Sequence, residues 1–107
     1  MKIHIITMEV FKMVVGTVKL RIYTSWVHSL KEKRKIVKSL CAKVGNKFNV
    51  SVAEIDDQDI HQIIVLGFAC VTNNNAHADR IMDSVIDFIE ENTEGEVIHI
   101  ERDKNSY

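Results

Sequence analysis

Lys31, Lys33, Arg34, Lys35 and Lys38 crowd into residues 31–38, with Glu32 as the lone acid among them. Ammonium and guanidinium groups at this density suit an anion, and the most common large anion in a cell is a nucleic-acid backbone. If the segment is helical, a turn of about 100° per residue stacks Lys31, Lys35 and Lys38 on one side with Arg34 beside them. Such groups would hold phosphate oxygens without reading bases. The five cations are therefore the candidate RNA-binding residues. Cations in a first helical turn oppose the helix dipole by about 0.3–1 kcal/mol each, a cost that an arriving anion would offset. The plainer alternative is a solvated face balanced by an acidic partner. Residues 76–96 supply one, with Asp79, Asp83, Asp87, Glu90, Glu91, Glu94 and Glu96 against Arg80.

A second group, Glu54, Asp56, Asp57 and Asp59 with His61 close by, has the residue types for acid–base work or for a divalent cation. Most of it reads as a wet turn, because Asp tolerates turn geometry, and no Asp-x-Asp-x-Asp-Gly loop is present. Glu54 is different: it stands among apolar residues near a strand end, where a carboxylate needs a partner. Glu54, Asp56 and His77 form the alternative polar site. The histidines, His4, His28, His61, His77 and His99, show no i, i+4 pair, so no zinc spacing is visible. Cys41 and Cys70 lie in apolar stretches and read as packing residues. With no glycine-rich phosphate loop and no G-x-S-x-G elbow, the leading expectation is a binding protein without cofactor or metal, and the alternative is a small-molecule or metal-dependent enzyme using Glu54, Asp56 and His77.

The elements that must position these groups are legible from periodicity. Val18, Leu20 and Ile22 alternate with Thr17, Lys19, Arg21 and Tyr23, which predicts a strand over 14–24 with one buried face. Ser29 and Glu32 have the spacing of a capping box. Leu30, Val37, Leu40, Cys41 and Val44 then mark a helix, with Gly45 and Asn46 expected to end it in a left-handed turn. Residues 48–55 read as a second strand. Residues 60–72, the most apolar stretch, read as a central strand buried on both faces. Asn73 to Asn75 caps a second helix lined by Ala78, Ile81, Met82, Val85 and Ile89. Gly95 breaks that helix, 97–100 forms the last strand, and the tail from Asp103 is expected to fray. Gly16 and Gly67 hint at an internal duplication. The order βαββαβ with right-handed crossovers predicts a ferredoxin-like α/β sandwich, a four-stranded antiparallel sheet with both helices on one face.

At 107 residues there is room for a single domain, assigned to 13–105 with 1–12 as an N-terminal extension, and Met13 is a second possible start. Hydrophobic residues at 46% and charged ones at 27% fit a globular chain and exclude a disordered one. A net charge of -1 gives no bulk attraction to nucleic acid or membrane, so any RNA contact must come from a local patch. No apolar run reaches the roughly 18 residues that would cross a bilayer. Known activities of this fold fit poorly. An RNA-recognition motif needs stacking aromatics on its central strands, where only Tyr23 and Phe68 stand. The SWVHS loop lacks the arginine-bearing loop of an acylphosphatase, and two cysteines cannot hold an iron–sulfur cluster.

The segments VVGTVKLRI, HSLKEKRKIVKSL, KFNVSVAEIDDQD and LGFACVTNNNAHAD, in that order over about 13–92, resemble the YlxP-like family of bacterial proteins of unknown function. The resemblance implies the ferredoxin-like fold and a cytoplasmic protein. By association with translation and ribosome-maturation factors, it also implies a link to ribosomal RNA or a ribonucleoprotein. It brings no catalytic residues. His61 departs from the large aromatic expected at its position. The third strand is apolar on both sides, with Ile63, Val65, Ala69 and Val71 facing away from Ile64, Leu66, Phe68 and Cys70. A homodimer or larger homo-oligomer that covers the outer face is therefore also expected.

Overall fold

Alternation along β1 (Val14–Tyr23) sends Val14, Val18, Leu20 and Ile22 to one side, and all four are buried. The structure, a computed structural model, describes residues 12–107; the extension 1–12 and its apolar residues thus lie almost wholly outside the described residues. β1 leads through a short loop to α1 (Leu30–Lys47), then β2 (Ser51–Asp56), β3 (Ile63–Thr72), α2 (Asn75–Asn92) and β4 (Glu96–Ser106). The sheet order is β2-β3-β1-β4 and every neighbouring pair is antiparallel. This is the ferredoxin-like topology.

In the β1–β3 register Val18 faces Phe68, Leu20 faces Leu66 and Ile22 faces Ile64, so one sheet face is continuously apolar. Val37, Leu40 and Val44 of α1 and Ala78, Met82, Val85 and Ile89 of α2 close over it. Both helix starts are capped as their sequences require. The Ser29 hydroxyl accepts from the Glu32 N–H at 3.1 Å, and Asn74 Oδ1 accepts from the His77 N–H at 2.9 Å. The Glu32 carboxylate reaches back to the His28 N–H at 3.4 Å, one residue before the cap.

Several expectations are corrected. α1 passes through Gly45 and Asn46 and stops at Lys47, with Phe48 extended and its N–H on the Val44 carbonyl; no described glycine has a positive φ. β3 begins at Ile63, because the residues before it turn back on themselves. The tail does not fray: Lys104, Asn105 and Ser106 pair with Gly16, Val15 and Val14, and Met13 and Tyr107 exchange backbone hydrogen bonds of 3.0 and 2.7 Å. β4 therefore runs to Ser106. Gly16 and Gly67 are not equivalent. Gly16 makes room for Met82 on the helix side, whereas Gly67 makes room for Ile55 on the open side. Among the described residues no helix is long and apolar enough to cross a membrane.

Candidate nucleic-acid interface

The buried stripe of α1 is Lys33, Val37, Leu40 and Val44. On a helical projection Lys31, Arg34, Lys35 and Lys38 fall on the opposite arc, and all four are exposed. Among the described residues none of them, nor Lys43 one turn on, forms a salt bridge. The acidic helix α2 forms no salt bridge to them among the described residues. Its Asp79 and Asp83 turn the other way, to Lys104 and Arg102 on β4. α1 and α2 approach instead near Lys47, whose ammonium lies 4.8 Å from the centre of the Phe88 ring.

Lys33 does not belong with the exposed cations. Two residues past Lys31 is about 200° around the helix, and this turns its side chain inward, where only 1% of it is exposed. Its Nζ donates to the carbonyls of Asp57 at 2.6 Å and Ile60 at 2.7 Å. Glu54 Oε2 lies 2.9 Å away, off the line of a directed hydrogen bond, so that contact is an ion pair. The Gln58 carbonyl, at 3.5 Å, is a third acceptor, so the three donors of the ammonium all point into the protein and none is left for an external anion. The partner that a carboxylate at Glu54 demanded is thus Lys33.

Glu54, Asp56 and His77 are not brought together. Glu54 pairs with Leu66 in the register and sits under α1, while Asp56 caps the exposed turn, its Oδ1 accepting from the Asp57 N–H. His77 contacts Thr72, about 20 Å further along β3. Among the described residues no His, Cys, Asp or Glu cluster could hold a metal. Half-buried Cys41 has its thiol pKa raised, first by burial and then by the Glu54 charge, which makes it a poor nucleophile.

The open face of the sheet is partly covered from within. Arg21 on β1 and Asp57 just past β2 join at 2.7 Å across β3, where Val65 lies fully buried. Ile55 lies over Gly67. Tyr23, Ile55 and Val71 remain exposed.

The end of the molecule where α1 starts holds the feature that periodicity did not reveal. Trp26, in the β1–α1 loop, is 37% exposed at the mouth of a groove of about 420 Å³ between α1 and the end of α2. Ile36 and Leu40 form its apolar part, and Lys35, Lys43, Glu32 and Glu94 stand around it. The loop is braced: the Thr24 N–H donates to the Gln62 carbonyl at 2.8 Å, and Gln62 Nε2 donates to the Ser25 carbonyl at 3.1 Å. The available signal was the sole tryptophan of the chain, standing in a short polar loop instead of a core element.

A family model described as a protein of unknown function (DUF503) matches residues 15–102. The chain is similar to the uncharacterized protein YlxP of Bacillus subtilis (strain 168), 40% identical over 62 residues, which is 58% of this chain and 67% of that protein. Among solved structures it is similar to the de novo designed protein Foldit4, with a TM-score of 0.50 and 15% identity over 87% of this chain and 96% of that one. That likeness concerns the fold alone. The designed protein Ferredog-Diesel aligns at a TM-score of 0.41 and 11% identity over 83% of each chain.

Proposed function

Since the chain belongs to the DUF503 family of proteins of unknown function, we propose a function from its geometry: a non-enzymatic accessory protein that binds RNA, free or within a ribonucleoprotein such as the ribosome, through the outer face of α1. One observation carries this reading. Lys31, Arg34, Lys35 and Lys38 are exposed together and form no salt bridge among the described residues, while Asp79 and Asp83 of the acidic helix pair with β4 instead. A face meant only for solubility gains from evenly mixed signs, whereas a predominantly cationic face on a rigid, capped helix suits a polyanion. The contact set is Lys31, Arg34, Lys35 and Lys38, without Lys33.

The test is reversal of Lys31, Lys35 and Lys38 to Glu together. Association with ribosomal RNA, measured by filter retention or sedimentation, should be lost while the melting temperature holds. With about three to five phosphate contacts, the log–log salt slope of the wild type should lie at roughly -2 to -4. Binding that survives the reversal, or that ignores salt, removes α1 from the interface. A second reading is self-association through the open sheet face, favoured by exposed Tyr23, Ile55 and Val71. Light scattering at tens of micromolar separates a monomer from the homodimer this reading requires.

A further inference from the structure

Phosphate contacts alone do not call for a tryptophan, and the groove beside the cationic face has one. Resting on RNA binding at α1, we propose that this groove takes an unpaired base of single-stranded RNA, stacked on the indole of Trp26, while Lys35 and Lys43 hold the flanking phosphates.

Four observations converge. Trp26 keeps 37% of its surface in contact with solvent, although an indole is among the side chains that gain most from burial. Its loop is tied by two hydrogen bonds to the strand-leading residue Gln62, so the ring is held by a firm support. The groove volume of about 420 Å³ falls in the range of small-molecule sites, with Ile36 and Leu40 as an apolar floor. Lys35 and Lys43, two turns apart on α1, stand along the same groove, and neither is engaged in a salt bridge among the described residues. An aromatic platform bordered by free cations is the arrangement that single-strand binders use, because every base has a π-face and every nucleotide a phosphate. The two carboxylates at the rim, Glu32 and Glu94, repel phosphate but accept from exocyclic amino groups. They therefore favour a base edge between the cationic sites and keep the phosphates at the lysine side. A duplex is excluded from this contact, since its bases are already stacked on one another.

The whole chain is its own probe, because Trp26 is its only tryptophan. Emission of Trp26 is followed during titration with an unlabelled single-stranded homopolymeric RNA oligonucleotide, a duplex RNA of equal length and the mononucleotide. Anisotropy of a labelled oligonucleotide reports binding independently. The expected result is saturable quenching by the single strand, little quenching by the duplex, and weak quenching by the mononucleotide, which has no neighbouring phosphates. Trp26→Ala should weaken single-strand binding about 5- to 100-fold, and Trp26→Phe should restore most of it. Lys35→Glu with Lys43→Glu should weaken both quenching and anisotropy changes. RNA that binds by anisotropy while Trp26 emission stays constant overturns the stacking site and leaves the helix reading standing. Equal quenching by duplex, or mononucleotide binding as tight as the oligomer's, overturns the assignment to a single strand. RNA that does not bind in any form overturns both.

Discussion

Replacing Lys33 by Met tests whether this lysine is a clamp or a ligand-facing charge. Methionine keeps the length of the methylene stem, so the packing of α1 against β2 is preserved and only the ammonium is lost. Removing it strips the Asp57 and Ile60 carbonyls of donors at 2.6 and 2.7 Å and leaves the Glu54 carboxylate, 16% exposed, without its counter-charge. Charge-assisted hydrogen bonds contribute about 1.5–3 kcal/mol each, and breaking one side of a buried pair costs about 3–5 kcal/mol in total. Domains of this kind are stable by about 5–15 kcal/mol, so the variant should be near the edge of folding. At about 4–8 °C per kcal/mol, its melting temperature should drop by at least about 12 °C. Urea melts at unchanged m-value give the same quantity directly, with Lys31→Met as the exposed control, expected within about 0.5 kcal/mol of wild type. Replacing the pair by Met and Leu removes the orphaned carboxylate but not the two bare carbonyls, so about half of the loss should return. A Lys33→Met cost below about 1 kcal/mol would refute the clamp. Conversely, a folded Lys33→Met protein that loses RNA affinity as Lys35→Glu does would put Lys33 back at the interface.

Gly95→Ala should destabilise by about 1–3 kcal/mol in urea, because the added Cβ would stand 2.6 Å from Ile22 Cγ2 and 2.9 Å from the Tyr23 carbonyl oxygen. Asp57 has φ of 50°, so Asp57→Val should cost about 1–3 kcal/mol in backbone strain beyond the lost Arg21 pair, whereas Asp57→Gly should stay within about 1 kcal/mol of wild type. Cys41, its thiol pKa raised mainly by burial, should react with iodoacetamide far more slowly in native than in urea-unfolded protein. Native protein holds that proton more tightly, so the stabilisation is complete below the unfolded thiol's pKa and is lost as pH rises through the folded one; Cys41→Ala should flatten the alkaline limb of the stability curve.

The fold was legible because its signals are local and redundant. Alternation in β1, the Ser29 cap and the Asn74 cap each name an element without knowledge of the rest, and the order of elements then leaves few topologies. The errors lie where tertiary pairing decides. β4 runs to Ser106 because β1 offers a partner at every position from His99 on, although the residues after Ile100 have no apolar pattern of their own. Gly45 and Asn46 stay helical because Phe48 still packs against Phe88 one step beyond, with ring centres 5.4 Å apart. The candidate site was half legible. Its exposed cations follow from helical angle alone, yet the partner that draws Lys33 inward, Glu54, is distant in sequence.

The basic run on α1 thus encodes two different jobs at adjacent positions. Lys33, on the inward side, fastens the turn at Asp57 to Ile60, and that turn leads directly to Gln62, which braces the loop bearing Trp26. Lys31, Arg34, Lys35 and Lys38, on the outward side, present charge from the same helix start. An arginine at position 33 would place a forked guanidinium where three separate donors meet the carbonyls of Asp57, Gln58 and Ile60 beside the Glu54 carboxylate, a geometry that suits the compact ammonium instead. On the proposed reading the buried cation orders the support, and the exposed cations draw the ligand to it. A tryptophan ring held beside free ammonium groups at a fixed spacing limits the freedom that binding must remove, which is where a small domain with a net charge of only -1 can gain affinity for a polyanion.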